Sequence, residues 1–309
     1  MTIQVKQLGK IDGKEKQTCF GGAWYHKVMS VPYPFYGIEG VITLPLPFIR
    51  RYSDHFKPKG LLSLDHKNLD VSSIYMGGHA IDESDVGLAL FKGMIDGVLT
   101  EGSCVYRPFW RYITDESEDI GTYDLANGRQ YAATLLSNHN GLKNIYAQYH
   151  PSFTEYYYLP GDTIKMSLYS PKPHFMQLKI EVLSISTLPY SIKLRQKGKL
   201  KNPETFISPM FSSKGHGTDS VKTYKRVNAI DQVKNEGKVA VVSNTKILNA
   251  LWHECYLYYK REGVLYKTPM NDDICVTMQC PQSKAFIATQ IEEMTGRQMI
   301  SILPNEVLK

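Results

Sequence analysis

Long apolar runs are absent from the 309 residues, and without a stretch of about 18 such residues no membrane-spanning helix is encoded. Cysteine is scarce and odd in number (Cys19, Cys104, Cys255, Cys275 and Cys280), spread too thinly for a disulfide framework. Glycine and proline, 23 and 16 residues, are too few for a collagen-like or low-complexity chain. No HExxH or HxH histidine pair occurs. Cys275 and Cys280 stand without the partner ligands that tetrahedral zinc needs, so no metal or cofactor is expected. There is no GxSxG elbow to present a serine, and no GxxxxGK[ST] or GxGxxG loop to cradle phosphate. The first twenty residues are polar and lack the apolar centre of a signal peptide. The sequence therefore reads as a chain made in the cytoplasm with reduced thiols, released only on lysis.

What is present is a chain 42% hydrophobic and 21% charged, the composition of a globular protein able to bury a large core. Its net charge of +6 is unevenly spread. Residues 82–124 carry ten acidic groups, among them Asp115, Glu116, Glu118 and Asp119, against three basic ones. Residues 193–226 carry nine basic groups against Glu204 and Asp219. Opposite poles of this kind can pair within one molecule or between neighbours. A nucleic-acid partner, which would favour uncompensated positive charge, is not expected.

Strand signals recur along the chain. Ile164, Met166 and Leu168 alternate with Lys165 and Ser167, and beyond the Pro171–Pro173 turn Met176, Leu178, Ile180 and Val182 alternate with polar residues. Period-2 alternation on both sides of a short turn predicts a hairpin with one dry face. Lys193, Arg195, Lys197, Lys199 and Lys201 also fall at every second position, which predicts a strand with a basic stripe: an edge guard or a contact for an acidic partner. Residues 52–72 read as a surface loop, residues 238–242 as a strand, and residues 284–295 as a second short helix. Residues 219–236 fit either a short helix, through Val221, Tyr224, Val227, Ile230 and Val233, or a bent strand and turn. More than ten short strands with frequent turns predict an all-β fold: an antiparallel two-sheet sandwich of jelly-roll (concanavalin-like) type with one or two short helices. One domain over 21–309 is expected, preceded by a polar arm, 1–20, held in assembly contacts.

The blocks YGIEGVITLPLP, SIYMGGHAIDESDVGLAL, YRPFWRY, YYYLPGDTIKMSLY and YKRVNAIDQ occur in the order shown by the YrpD-like bacterial family, which the chain resembles from about Gly37 to Gln232. More distantly, the GIEG and PGDTI blocks resemble the glutamic-peptidase β-sandwich. That resemblance implies a carboxylate general base on water with a glutamine polarising the scissile carbonyl. The matching segment here, YKRVNAIDQV, holds Asp231 in place of a glutamate.

Glu39, between Gly37 and Gly40 in an apolar run, is the single best acid/base candidate, with a raised pKa expected from burial. The preferred alternative is a structural anchor that accepts hydrogen bonds. Tyrosine, at 21 residues, is the compositional outlier. Tyr156, Tyr157, Tyr158, Tyr256 and Tyr258 are expected to lie partly outward, because neighbours on a strand point to opposite faces. The resulting expectation is a non-enzymatic β-sandwich that self-assembles, as an array or crystal, or binds a glycan or protein surface. The alternative is a hydrolase using Glu39 and Asp231.

Overall fold

A computed structural model describes residues 3–13, 18–51, 69–90, 94–95, 98–99, 104–115, 119, 121, 123–124, 128–232 and 235–308. Two large sheets face one another. The first runs, in spatial order, through Gln4–Val5, Val264–Pro269, Ile247–Arg261, Phe35–Thr43, Thr163–Tyr169, Phe175–Ser184 and Phe206–Ile207, with Gln298–Ile302 also paired to the long Ile247–Arg261 strand. The second runs through Cys275–Cys280, Ala23–Ser30, Thr223–Gln232, Asp70–His79, Glu83–Leu90, Tyr106–Thr114, Leu142–Tyr149, Arg129–His139 and Tyr123–Asp124. Neighbours pair antiparallel except at the first edge, where Gln4–Val5 runs parallel to Val264–Pro269. The all-β sandwich expected from the sequence is the fold.

The dry layer between the sheets follows from the alternation. Met166 meets Ile180 and Leu168 meets Leu178 across the expected hairpin, and these four, with Ile164 and Met176, are fully buried in one cluster with residues of both sheets. Trp24 and Trp110 of the second sheet and Trp252 of the first lie in that cluster. Gly40 belongs to it by geometry. A Cβ there would fall 2.9 Å from both the Met76 methyl and the Trp252 ring, so the sheets close onto each other only where this residue has no side chain.

Several local expectations give way to tertiary contacts. The basic segment is not a strand: Pro189–Lys197 is an α-helix with proline in its first turn. Each residue advances about 100° around a helix, so Lys193 and Lys197, four apart, share a face and Arg195 lies on the opposite one. The helix is tied down by the Ser191 hydroxyl on the Pro160 carbonyl at 2.6 Å and by Arg195 on buried Asp162 at 3.0 Å. Thr223–Gln232, ambiguous between helix and strand, is a ten-residue strand, because its odd- and even-numbered side chains are buried on opposite sides. Residues 284–295 form a 3-10 turn and the short strand Phe286–Ala288 instead of a helix. Residues 238–242 form no strand, and Val239 is exposed. The loop expected over 52–72 falls mainly outside the described residues, but Asp70–His79 is already a strand.

The N-terminal arm lies against its own chain. Lys6 N–H donates to the Lys267 carbonyl at 2.9 Å, and Leu8 N–H to the Thr268 hydroxyl at 3.1 Å. Cys19 then forms a disulfide with Cys280, 261 residues away, and Phe20 stacks on Tyr25 with ring centroids 4.0 Å apart. The sequence reading of five reduced thiols is therefore corrected: long-range folding brings together two cysteines that spacing cannot pair. Under denaturing, non-reducing conditions three thiols should react with maleimide, and all five after reduction. Replacement of Cys19 by serine should lower stability by about 2–4 kcal/mol in urea titration; five reactive thiols before reduction would refute the pairing.

Candidate functional site

The outer face of the second sheet carries the most reactive arrangement among the described residues. Along Thr223–Gln232, Tyr224, Arg226, Asn228 and Ile230 turn into the sandwich, which leaves Lys225, Val227, Ala229 and Asp231 outside. Register then fixes their neighbours. Ala229 lies between Tyr25 and Ser73, Val227 between Lys27 and Tyr75, and Lys225 between Met29 and Gly77. Further across, Gly77 meets Asp85 and Asp85 meets Arg111, while Tyr75 meets Gly87 and Gly87 meets Phe109. Tyr25, Tyr75, Phe109, Val227 and Ala229 form a satellite apolar cluster on this outer side, with Tyr146 packed against it. Phe109 stacks on Tyr146 at 5.3 Å and meets Tyr75 edge-on at 6.2 Å. Gly87 makes the close packing possible: a Cβ there would lie 2.5 Å from the Tyr75 Cα.

Asp231 sits half-buried at one end of this face and accepts a 2.5 Å hydrogen bond from the Ser73 hydroxyl. Burial pushes its carboxyl up to about 6; Glu236 and Asp85 add to the rise, while the Ser73 hydrogen bond and Arg111 oppose it. Burial, Asp85 and Asp231 together raise the Tyr75 phenol well above its ordinary value, so it remains a proton donor. Arg111 donates through Nε to the Asn144 side chain at 2.8 Å and reaches Glu236 at 3.5 Å. Lys225 bridges Glu83 at 2.7 Å and Asp85 at 2.9 Å. Burial depresses the Lys225 ammonium, but the two carboxylates outweigh it and hold the group charged. The face thus offers one carboxyl that titrates near pH 6 beside fixed cations, phenols and aromatic rings.

Glu39 lies on the far side of the molecule. Gly40 and Ile38 point into the core, so Glu39 points out from the first sheet. It is nevertheless buried, because Lys165 at 2.5 Å, Lys267 at 2.7 Å and the Tyr258 hydroxyl at 2.5 Å close over its carboxylate. Burial alone would raise its pKa, but these three hydrogen bonds outweigh that effect and hold it below the usual glutamate value. The raised pKa expected from the sequence is corrected, and Glu39 has the partners of an anchor. With two sheets between them, Glu39 and Asp231 do not form an acid/base pair.

The remaining expected site residues are dispersed. Tyr156, Tyr157, Tyr158 and Tyr256 are buried and Tyr258 is half-buried on Glu39, so the tyrosine clusters offer little outward surface. The Tyr157 hydroxyl donates to the Pro151 carbonyl, and that of Tyr158 to the Glu204 carbonyl at 2.8 Å. Lys193, Lys197, Lys199 and Lys201 are exposed, and Lys201 reaches buried Glu155 at 3.2 Å. Asp115 pairs with Lys214 at 2.7 Å, and with Lys225 on Glu83 and Asp85 the acidic and basic poles meet within one molecule. Asp119 accepts hydrogen bonds from Tyr112, Tyr131 and the Gly121 N–H. Glu116 and Glu118 lie outside the described residues. Ser73, Tyr75, Arg111 and Lys225 were missed, although period-2 alternation through SIYMGG and YKRVNAIDQ places Ser73, Tyr75, Lys225 and Asp231 on outward positions.

No protein-family model and no curated protein matches the chain, so the comparisons give the YrpD-like resemblance no support. Solved structures of scytalido-glutamic peptidase bound to transition-state analogues are similar at 9% identity with TM-scores of 0.46 and 0.44; each covers 92% of this chain and 99% of its own. SCP-B, a member of the Eqolisin family of peptidases in complex with the tripeptide Ala-Ile-His, matches over the same shares at 8% identity and a TM-score of 0.43. Likeness at this level transfers no chemistry.

The two carboxyls should respond oppositely to substitution. Glu39→Gln removes the partner of two lysines and should cost roughly 3 kcal/mol at pH 7, measured by chemical denaturation. Asp231 has a folded pKa above its unfolded value, so its ionisation disfavours the folded state as pH rises from about 4 through about 6. Asp231→Asn should therefore be more stable than the parent above pH 6, and the gain should vanish below pH 4. A gain that grows on acidification would contradict this assignment.

Proposed function

We propose that the chain is a hydrolase that lays an extended polymer across the outer face of the second sheet and transfers protons through Asp231. The observation that carries this is the Asp231 carboxyl, half-buried, bonded to Ser73 at 2.5 Å and shifted to about 6 beside Arg111 and Tyr75. A carboxyl that stays protonated to near pH 6 can donate to a leaving group, whereas an ordinary surface aspartate is already ionised. Arg111 supplies fixed positive charge and the Tyr75 phenol a proton donor for an oxygen that gains charge in the transition state. Glu236, 3.5 Å from Arg111, offers a second carboxylate for activating water. Tyr75 and Phe109 are buried and form a rigid aromatic floor, so contact area for the remainder of the substrate comes from half-buried Tyr146.

Glycan or peptide binding without turnover is the second reading, favoured by half-buried Tyr146 on the same aromatic floor. Self-assembly has less support, since the tyrosines it relied on are largely buried, the basic stripe is divided around a helix and the arm packs on its own chain. Incubation with mixed peptide and polysaccharide substrates, followed by product mass analysis, separates these readings. Turnover should decline as pH rises above about 6, fall at least about 100-fold in Asp231→Asn, and persist in Glu39→Gln. Binding with no product at any pH from 3 to 8 would leave the lectin-like reading; turnover unaffected by Asp231→Asn would remove Asp231 from the chemistry.

A further inference from the structure

A cationic side chain is enclosed between the sheets with no carboxylate partner among the described residues. Arg226, 1% exposed, projects inward from Thr223–Gln232. Its Nη2 donates to the Gln298 side-chain oxygen at 3.1 Å, and its guanidinium lies 5.4 Å from the centre of the Trp252 ring. Nε and Nη1 have no hydrogen-bond partner in the protein, and no ion pair to Arg226 occurs among the described residues. The acidic groups that bear on it are the thiols of Cys255 and Cys275. Burial pushes the Cys255 thiol up to about 12, so it stays neutral. A buried guanidinium in this setting is costly unless something neutralises it.

Two further buried groups near it present nitrogen without a partner. Asn228 shares the inward side of the strand two residues on; its Oδ1 accepts from Trp252 Nε1 at 2.8 Å, so the unpartnered Nδ2 is a donor. His26 is the register partner of Asn228 on the adjacent strand, is 1% exposed, and has an unpartnered Nε2. Burial and the Arg226 charge depress the His26 pKa to about 3, against a backbone hydrogen bond that raises it, so the ring is neutral, its one N–H serves the backbone carbonyl, and Nε2 is left as an acceptor. The two unpartnered Arg226 nitrogens and the Asn228 Nδ2 are donors of one permanent cation and one neutral amide whose acceptor is already used, and they suit a small anion better than a cation.

We infer that Arg226 and Asn228 form an interior site for one small monovalent anion of the halide class. Its role is to neutralise Arg226 inside the sandwich, independently of the outer-face chemistry. A ligand bound only by the folded state raises the melting temperature with the logarithm of its concentration.

The test is to unfold and refold the full chain in sodium gluconate, then record melting temperature while chloride or bromide replaces gluconate at constant ionic strength. Tm should rise progressively with either halide and stay level in gluconate. Crystals grown in bromide should show an anomalous peak beside Arg226 Nε or Nη1. Arg226→Met should lose the halide response. Should it fail to fold, Asn228→Asp supplies an internal carboxylate and should be equally insensitive to halide. Equal Tm in all three salts, or a buried water and no bromide peak beside Arg226, would overturn the site.

Discussion

The dry contact between the two sheets governs everything else in this molecule. Each strand must bury one set of alternate side chains against the opposite layer, and a shift by a single residue would exchange the buried and exposed sets. In Thr223–Gln232 that requirement holds Ile230 inside and so places Asp231 outside beside Ser73. In Phe35–Thr43 it holds Ile38 and Ile42 inside and so delivers Glu39 to the far surface. The separation of the two carboxyls is a consequence of core packing.

Polar groups are treated differently according to their layer. On the first sheet's outer face, Glu39 is surrounded by donors and stays ionised; on the second, Asp231 has one hydroxyl donor among aromatic rings and acids, and its proton is retained to higher pH. These two environments account for opposite pKa shifts in chemically similar side chains. Between the layers, Arg226 has neither solvent nor, among the described residues, a carboxylate partner, and its Trp252 and Gln298 contacts leave two nitrogens unanswered. The buried His26 and His216 rings, both pushed down to about 3, oppose the Asp231 effect: their folded pKa values lie below 6.5, so acidification through that range disfavours the fold.

Much of the architecture was legible because strand alternation is a local signal. The Thr163–Tyr169 and Phe175–Ser184 hairpin follows from residues close in sequence. The Pro189–Lys197 segment misled because its period-2 lysines are also good helix formers, and buried Asp162 and the Pro160 carbonyl supply anchors that no local pattern reveals. The tyrosines misled in the same way: Tyr157 and Tyr158 find carbonyl partners at Pro151 and Glu204, which lets a polar tip be buried without penalty. Asp231 was visible as a carboxylate in a resembling block, whereas Ser73, Tyr75 and Arg111 lie in two other blocks, and nothing local shows that these strands bring them to one face.

The sequence by itself determined the all-β class, the alternation that makes each strand two-sided, and the presence of enough apolar area to close a sandwich. Tertiary structure alone decided which strands are neighbours. It thereby decided that Cys19 meets Cys280, that Glu39 is clamped by two lysines, and that Asp231 shares a face with Arg111. The physical reason is range: side-chain periodicity is set by backbone geometry within a few residues, whereas strand order and the field at a carboxyl depend on groups brought together from across the whole chain.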